Sequence, residues 1–156
     1  MTGIVISEGE KYYTDIKAIL TLMGDVYKQY NWLISEYECY PQNEEVAMCF
    51  SGDSVFVSGE ELMRLLDIEN FQLIWGVMTA IPQSISGEEV YKYTLPYARN
   101  NSSFWDVPVS IQHPLGEIEI VSWDSSATIV KSNDNNVIST IKSKNDKTID
   151  FEVYVR

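Results

Sequence analysis

Phe71-Gln72-Leu73-Ile74-Trp75-Gly76-Val77-Met78-Thr79-Ala80-Ile81-Pro82 is the stretch on which the fold class turns. It is apolar at odd and even positions alike, so a strand made from it has to be covered on both faces. Pro82 closes it, because a proline cannot donate to a central ladder. Such a strand needs neighbours and two covering layers.

The chain on either side supplies candidates. Just upstream, Ser58-Gly59-Glu60-Glu61 has the form of a capping box, and Leu62, Leu65 and Leu66 give the helix it opens one apolar stripe. Further back, Trp32–Tyr40, Val46–Phe50 and Val55–Val57 read as a three-stranded antiparallel meander, turning at Gln42–Glu45 and Ser51–Ser54. Ile4-Val5-Ile6 suggests an opening strand. Thr14 is placed to cap a helix carrying Ile16, Ile19, Leu20 and Met23. Gly24 is a natural stop for that helix, yet Val26, Tyr27 and Tyr30 continue its stripe, and both readings stand.

Downstream, Ser86-Gly87-Glu88-Glu89 repeats the capping pattern before a short helix to Tyr93. Tyr97–Pro108 is the clearest loop, with Val109–Gln112 a strand candidate beyond it. His113-Pro114-Leu115-Gly116 makes a turn. Glu117–Trp123 and Ala127–Val130 read as strands joined at Asp124-Ser125-Ser126. Asp134 caps a helix with Val137, Ile138 and Ile141 inward. The last residues alternate, with Ile149, Phe151, Val153 and Val155 on one face of a closing strand. Strands outnumber helices, and no regular βαβ alternation runs through the chain. The expectation is one α+β domain over residues 1–156: a mostly antiparallel twisted sheet with three to four short helices packed on it.

Of 156 residues, 23 are acidic and 11 basic, a net charge of −12. Residues 1–97 hold 15 acids against 5 bases, and residues 98–156 hold 8 against 6. The densest block runs from Glu36 to Glu69, with Arg64 its sole base. Such a field repels phosphates and attracts basic partners, so no nucleic acid is expected and a basic protein is. No apolar run is long enough for a membrane span. The start, Met1-Thr2-Gly3-Ile4, lacks the basic and apolar regions of a signal peptide, which points to the cytoplasm. Cys39 and Cys49 lie symmetrically about Pro41–Glu45. In a reducing compartment they read as buried thiols, with a cross-strand disulfide as the alternative.

Motifs for chemistry are scarce. The single histidine, His113, precedes a proline at a turn and reads as a surface imidazole. No C-x-x-C, H-E-x-x-H, G-x-G-x-x-G or Walker pattern occurs, so neither a metal nor a cofactor is expected. Carboxylates are plentiful: Glu36 and Glu38 share one strand face, as do Glu117 and Glu119, which read as the wet side of a half-exposed strand. An acid-based hydrolase would need Asp106, Asp124 and His113 near one pocket. Aromatic residues are more suggestive, because Tyr and Trp offer large contact area with a polar tip. The candidate partner-binding face is Glu36, Tyr37, Glu38, Tyr40, Glu44, Glu45, Asp53, Glu60 and Glu61. A second candidate is the loop carrying Tyr97, Phe104, Trp105 and Asp106.

Asn31-Trp32-Leu33-Ile34-Ser35, the SGEEL start at Ser58–Leu62, the apolar strand at Phe71–Pro82, and Ile120-Val121-Ser122-Trp123-Asp124-Ser125-Ser126 occur in an order that resembles a family of small, functionally uncharacterised proteins found mainly in bacilli and related bacteria. That resemblance brings no catalytic residues. In size and charge the chain also resembles immunity proteins that neutralise bacterial toxins. The functional expectation is a non-enzymatic acidic binding module, an inhibitor of a basic toxin or nuclease. The alternatives are a small carboxylate-dependent hydrolase and a homo-oligomer paired through Thr148–Arg156.

Overall fold

In the computed structural model, which describes residues 1–8 and 14–156, the apolar stretch enters the sheet at Trp75 rather than Phe71 and forms β4 (Trp75–Pro82). The other strands are β1 (Thr2–Ile6), β2 (Tyr30–Glu38), β3 (Ser54–Ser58), β5 (Ile118–Trp123), β6 (Ala127–Ser132) and β7 (Thr148–Asp150). All seven form one sheet in the order β3-β2-β4-β5-β6-β1-β7, and every neighbouring pair is antiparallel. The α+β class with a mostly antiparallel sheet is the observed one.

Side chains alternate across the pleat and divide the interior into two layers. Ile4, Ile6, Trp32, Ile34, Met78, Ala80, Ile118, Ile120 and Val130 face one way. They meet α1 (Ile16–Leu22), α3 (Gly59–Ile68) and α5 (Asn135–Lys144), the three helices of seven residues or more among the described residues. Ile16, Ile19 and Leu20, then Leu62, Leu65 and Leu66, then Val137, Ile138 and Ile141 are the buried stripes, spaced as the sequence predicts. Each such side chain contributes about 1.5–3 kcal/mol when fully buried. On the opposite face, Val5, Leu33, Val77, Ile81, Val121 and Ile129 are covered by residues 83–116, which hold only α4 (Gly87–Val90) and a 3₁₀ turn at Ser102–Trp105, and by α6 (Phe151–Tyr154).

Several local expectations are corrected. Val46–Phe50 is not a strand: Glu44–Cys49 forms a helix, α2. Asn43 caps it, with Oδ1 accepting from Glu45 N and Val46 N, and the Glu69 carboxylate accepts from Gln42 N and Asn43 N. Glu44 and Glu45 in the first turn suit the positive end of the helix dipole. The meander is therefore a pair, β2 and β3, with a helix between. Asp15, not Thr14, caps α1, its carboxylate accepting from Ala18 N. Thr14 is buried with φ +66°, its N–H donating to Thr128 Oγ1 and its hydroxyl to Leu73 O. The α1 helix ends at Leu22, and Gly24 at φ +67° restarts the chain as a 3₁₀ turn over Gly24–Gln29. Val109–Gln112 joins no strand.

The carboxy-terminal strand stops at Asp150, and Phe151 opens α6 instead. Phe151 leaves the edge to pack over Gly3, where an added Cβ would lie 3.1 Å from its own Cβ. Hence the outer edge of β7 offers three residues for pairing, not the nine of Thr148–Arg156.

Ser58 caps α3 as its sequence implies, Oγ accepting from Glu61 N at 3.1 Å, but Glu61 turns to Arg64 rather than back to the cap. The next residue is sterically fixed. A Cβ on Gly59 would lie 2.0 Å from Tyr27 O, the carbonyl that also accepts from the Trp32 indole. Gly59→Ala should cost about 3 kcal/mol by overpacking. Gly52→Ala, whose Cβ would meet nothing nearer than Ser54 O at 3.9 Å, should cost far less. Urea denaturation of the two variants checks this.

Candidate binding site

A bulge in β2 builds the site. Ser35 pairs with Val77 and Glu38 with Trp75, so Glu36 and Tyr37 both stand opposite Gly76. The strands approach closely enough that a Cβ on Gly76 would lie 3.2 Å from Tyr37 Cβ. Glu36 takes up the extra residue with φ +48°, a left-handed conformation unfavourable for any side chain but glycine, and its carboxylate is exposed. Bulges of this kind re-aim side chains beside functional sites.

The neighbours converge from three segments. Tyr37 donates its hydroxyl to Gly52 O, drawing the loop before β3 against the bulge. Ser35 Oγ donates to Pro96 O at 2.7 Å, bringing in the covering layer just before Tyr97. Arg99 then pairs with Glu38 and lies over the Trp75 ring, 5.3 Å from its centroid. Tyr40 OH donates to Glu38 Oε1 at 3.0 Å. The result is a concavity of about 340 Å³ lined by Glu36, Tyr37, Glu38, Gly52, Asp53 and Arg99. Hydrogen bonds from Arg99, then from Tyr40, hold the Glu38 carboxyl below its ordinary range. Burial, with Cys39 and Asp53 nearby, pushes the Tyr37 phenol up to about 12. Among the described residues neither Glu36 nor Asp53 has an ion-pair partner.

Five residues of the candidate face thus gather here: Glu36, Tyr37, Glu38, Tyr40 and Asp53. The other four occupy first turns of helices, Glu44 and Glu45 in α2, Glu60 and Glu61 in α3. Glu45 and Glu61 share Arg64, at 2.5 and 2.7 Å. Cys39 and Cys49 are free and half-buried, and burial raises the Cys39 thiol to about 11. In the second candidate loop Tyr97 and Asp106 are exposed, but Phe104 is buried. Trp105 is half-buried, stacked on Phe151 and Tyr154 with its edge to Trp123. Phe104 and Trp105 hold the covering layer on the sheet.

Of the two glutamates expected on the wet side of β5, one is buried. Glu117 accepts from Tyr30 OH at 2.7 Å, whereas Glu119 is fully buried. In the register of β5 and β6 Glu119 faces Lys131, itself 1 % exposed. Glu119 Oε2 accepts from Gln112 N at 2.9 Å, and Lys131 Nζ donates to Phe104 O at 3.1 Å. The two charges are 3.7 Å apart, and the ammonium sits against the Phe104 and Phe151 rings, at 3.8 and 4.9 Å. Burial raises the Glu119 carboxyl and lowers the Lys131 ammonium, each opposed by the charge of the other. The pair anchors the covering layer to the sheet at two points, Phe104 and Gln112.

His113 is not a surface imidazole. It is 1 % exposed, accepts at Nδ1 from Leu115 N, and so donates from Nε2 to Val90 O at 3.1 Å. It lies before β5, whereas Asp124 follows the end of that strand, so the strand separates His113 from Asp124. Among the described residues no group of three or more His, Cys, Asp or Glu side chains is placed to hold a metal ion. Nor is any helix long and apolar enough to cross a membrane.

Removing one partner of a buried pair strands the other charge, at about 3–5 kcal/mol. Glu119→Gln and Lys131→Met should each cost that much, and the double variant less than the sum; additive losses in urea titrations would contradict the coupling. Glu36→Gly should leave stability within about 1 kcal/mol of wild type or raise it, because glycine relieves the left-handed strain. Thermal unfolding tests this.

No protein-family model, curated protein or solved structure matches the chain.

Proposed function

We propose that this chain is a non-enzymatic acidic binding module whose Glu36–Asp53 concavity receives a lysine or arginine side chain of a basic protein partner. The observation that carries the reading is the bulge. A glutamate is kept in a left-handed conformation that a glycine would tolerate better, and its carboxylate stands exposed in the same concavity as Asp53, neither of them ion-paired among the described residues. Observed strain of this kind is a reason to look for function at that residue. Tyr40, 69 % exposed, and Tyr91, 45 % exposed and bonded through its hydroxyl to Ser54, supply amphipathic contact area at the rim.

The net charge of −12 steers a cationic protein toward the chain from a distance. Its sign opposes binding of nucleic acid phosphates. Within this class, an inhibitor or immunity protein that masks the cationic active site of a toxin or nuclease fits best, because such sites present clustered Lys and Arg. Residence in the cytoplasm accompanies this reading.

A synthetic arginine- and lysine-rich peptide is the probe, titrated calorimetrically at low and physiological salt. Glu36→Gln combined with Asp53→Asn should weaken binding about five- to ten-fold at low salt, the worth of two exposed ion pairs. Glu44→Gln combined with Glu88→Gln removes the same net charge elsewhere and should weaken it much less. Equal losses in the two double variants would show that only overall charge matters, and would contradict the assigned site. Wild-type affinity should fall as salt rises.

A further inference from the structure

The two edges of the sheet are built differently. The β7 edge is three residues long, preceded by Lys147 and ended by α6, features that discourage pairing with another chain. At the other edge, among the described residues, β3 pairs with β2 alone. Among the described residues no backbone hydrogen bond joins Ser54–Ser58 to any segment beyond β2 and the helix that follows. The strand carries no charge, no proline and no bulge, the devices that normally blunt an edge. Its sequence, Ser54-Val55-Phe56-Val57-Ser58, reads identically in both directions.

We infer that β3 pairs antiparallel with β3 of a second copy of this chain, about a two-fold axis through Phe56. A two-fold interface sets each patch against itself. Centred on Phe56, the palindrome places Ser54 opposite Ser58, Val55 opposite Val57, and Phe56 opposite Phe56, like on like at every position. Both layers of the fold then continue across the joint. Val55 and Val57 belong to the helix-covered core, and Phe56 lies on the other face, edge-on to Tyr91 at 6.5 Å and against Gly87. The unmade hydrogen bonds of the edge close on the partner, as in strand addition generally. The same axis brings Asp53 of one copy near Glu60 of the other. Two chains of charge −12 repel, so association strengthens as salt rises. That sign is opposite to the one expected for a basic partner, so the two proposals succeed or fail separately.

Sedimentation equilibrium of the wild-type chain from about 5 to about 500 µM, in low and high salt, reads the first outcome. The expected species is twice the 17.9 kDa chain, more populated at high salt. Mild oxidation of variants with one added cysteine reads the register, and the wild type, with its own Cys39 and Cys49, gives the background rate. Phe56→Cys sits on the axis, within the Cβ separation of facing residues, and should cross-link at least about ten-fold faster than Ser54→Cys or Ile149→Cys. Amide exchange of β3 in the wild-type chain should slow with concentration, a readout free of any substitution. A monomer at every concentration whose β3 amides stay labile would overturn the inference and leave the edge to a strand of a different protein. So would a dimer in which Ile149→Cys cross-links fastest.

Discussion

A sheet apolar on both faces has to be covered twice, and this chain has substantial helices for one face only. Everything distinctive in the structure follows from how the second face is closed. The covering layer, residues 83–116, is irregular, so its backbone cannot satisfy itself as a helix does. It is tied down instead by single polar contacts, and the Glu119–Lys131 pair makes two of them, at Gln112 N and Phe104 O. His113 braces the layer internally, through Val90 O and Leu115 N. A charged pair is an expensive fastener in a dry interior, and here two hydrogen bonds and two aromatic faces offset part of that cost. Gly3, opposite Phe151, leaves room for the ring that closes the end of this layer.

The same layer completes the acidic concavity. Ser35 fastens Pro96, which fixes where the following residues run, and Arg99 lands on Glu38 and the Trp75 ring. With Arg99 so engaged, the wall of the cavity is neutralised at Glu38, while Glu36 and Asp53 have no ion-pair partner among the described residues. The bulge at Glu36–Tyr37 supplies the aim, and Gly76 supplies the room for it. Structural anchoring and the proposed recognition surface are thus linked through a short run of residues, Pro96 to Phe104.

The sheet and the helix-side core were legible because they rest on local signals. The stripes of α1, α3 and α5, the Ser58, Ser86 and Asp134 caps and the turns at Ser51–Ser54 and Asp124–Ser126 are set by residues adjacent in sequence. What escaped was decided at a distance. Nothing near Val46–Phe50 shows that Glu69 will cap the preceding loop and favour a helix over a strand. Alternation at Glu117 and Glu119 is that of a wet strand; only Lys131, set among Ile129, Val130 and Ser132 on another strand, hints that one glutamate is buried. The period-2 tail looked like a strand through Val155, but covering Gly3 and Lys131 takes Phe151 out of the ladder. Of the nine proposed surface residues, the five that converge are those near the bulge; the four helix-first-turn glutamates already serve α2 and α3. The palindrome of β3 was visible in the chain, but it acquires meaning only once β3 is known to be an edge.

The covering layer is fixed to the sheet by the buried pair rather than resting loosely on it. Native-state hydrogen exchange at the Gln112 amide, which donates to Glu119, measures this directly. If the layer is latched, that amide exchanges only through global unfolding, with the same free energy of opening as the β5 amides. Exchange of Gln112 through a low-energy local opening, while β5 stays protected, would contradict the account.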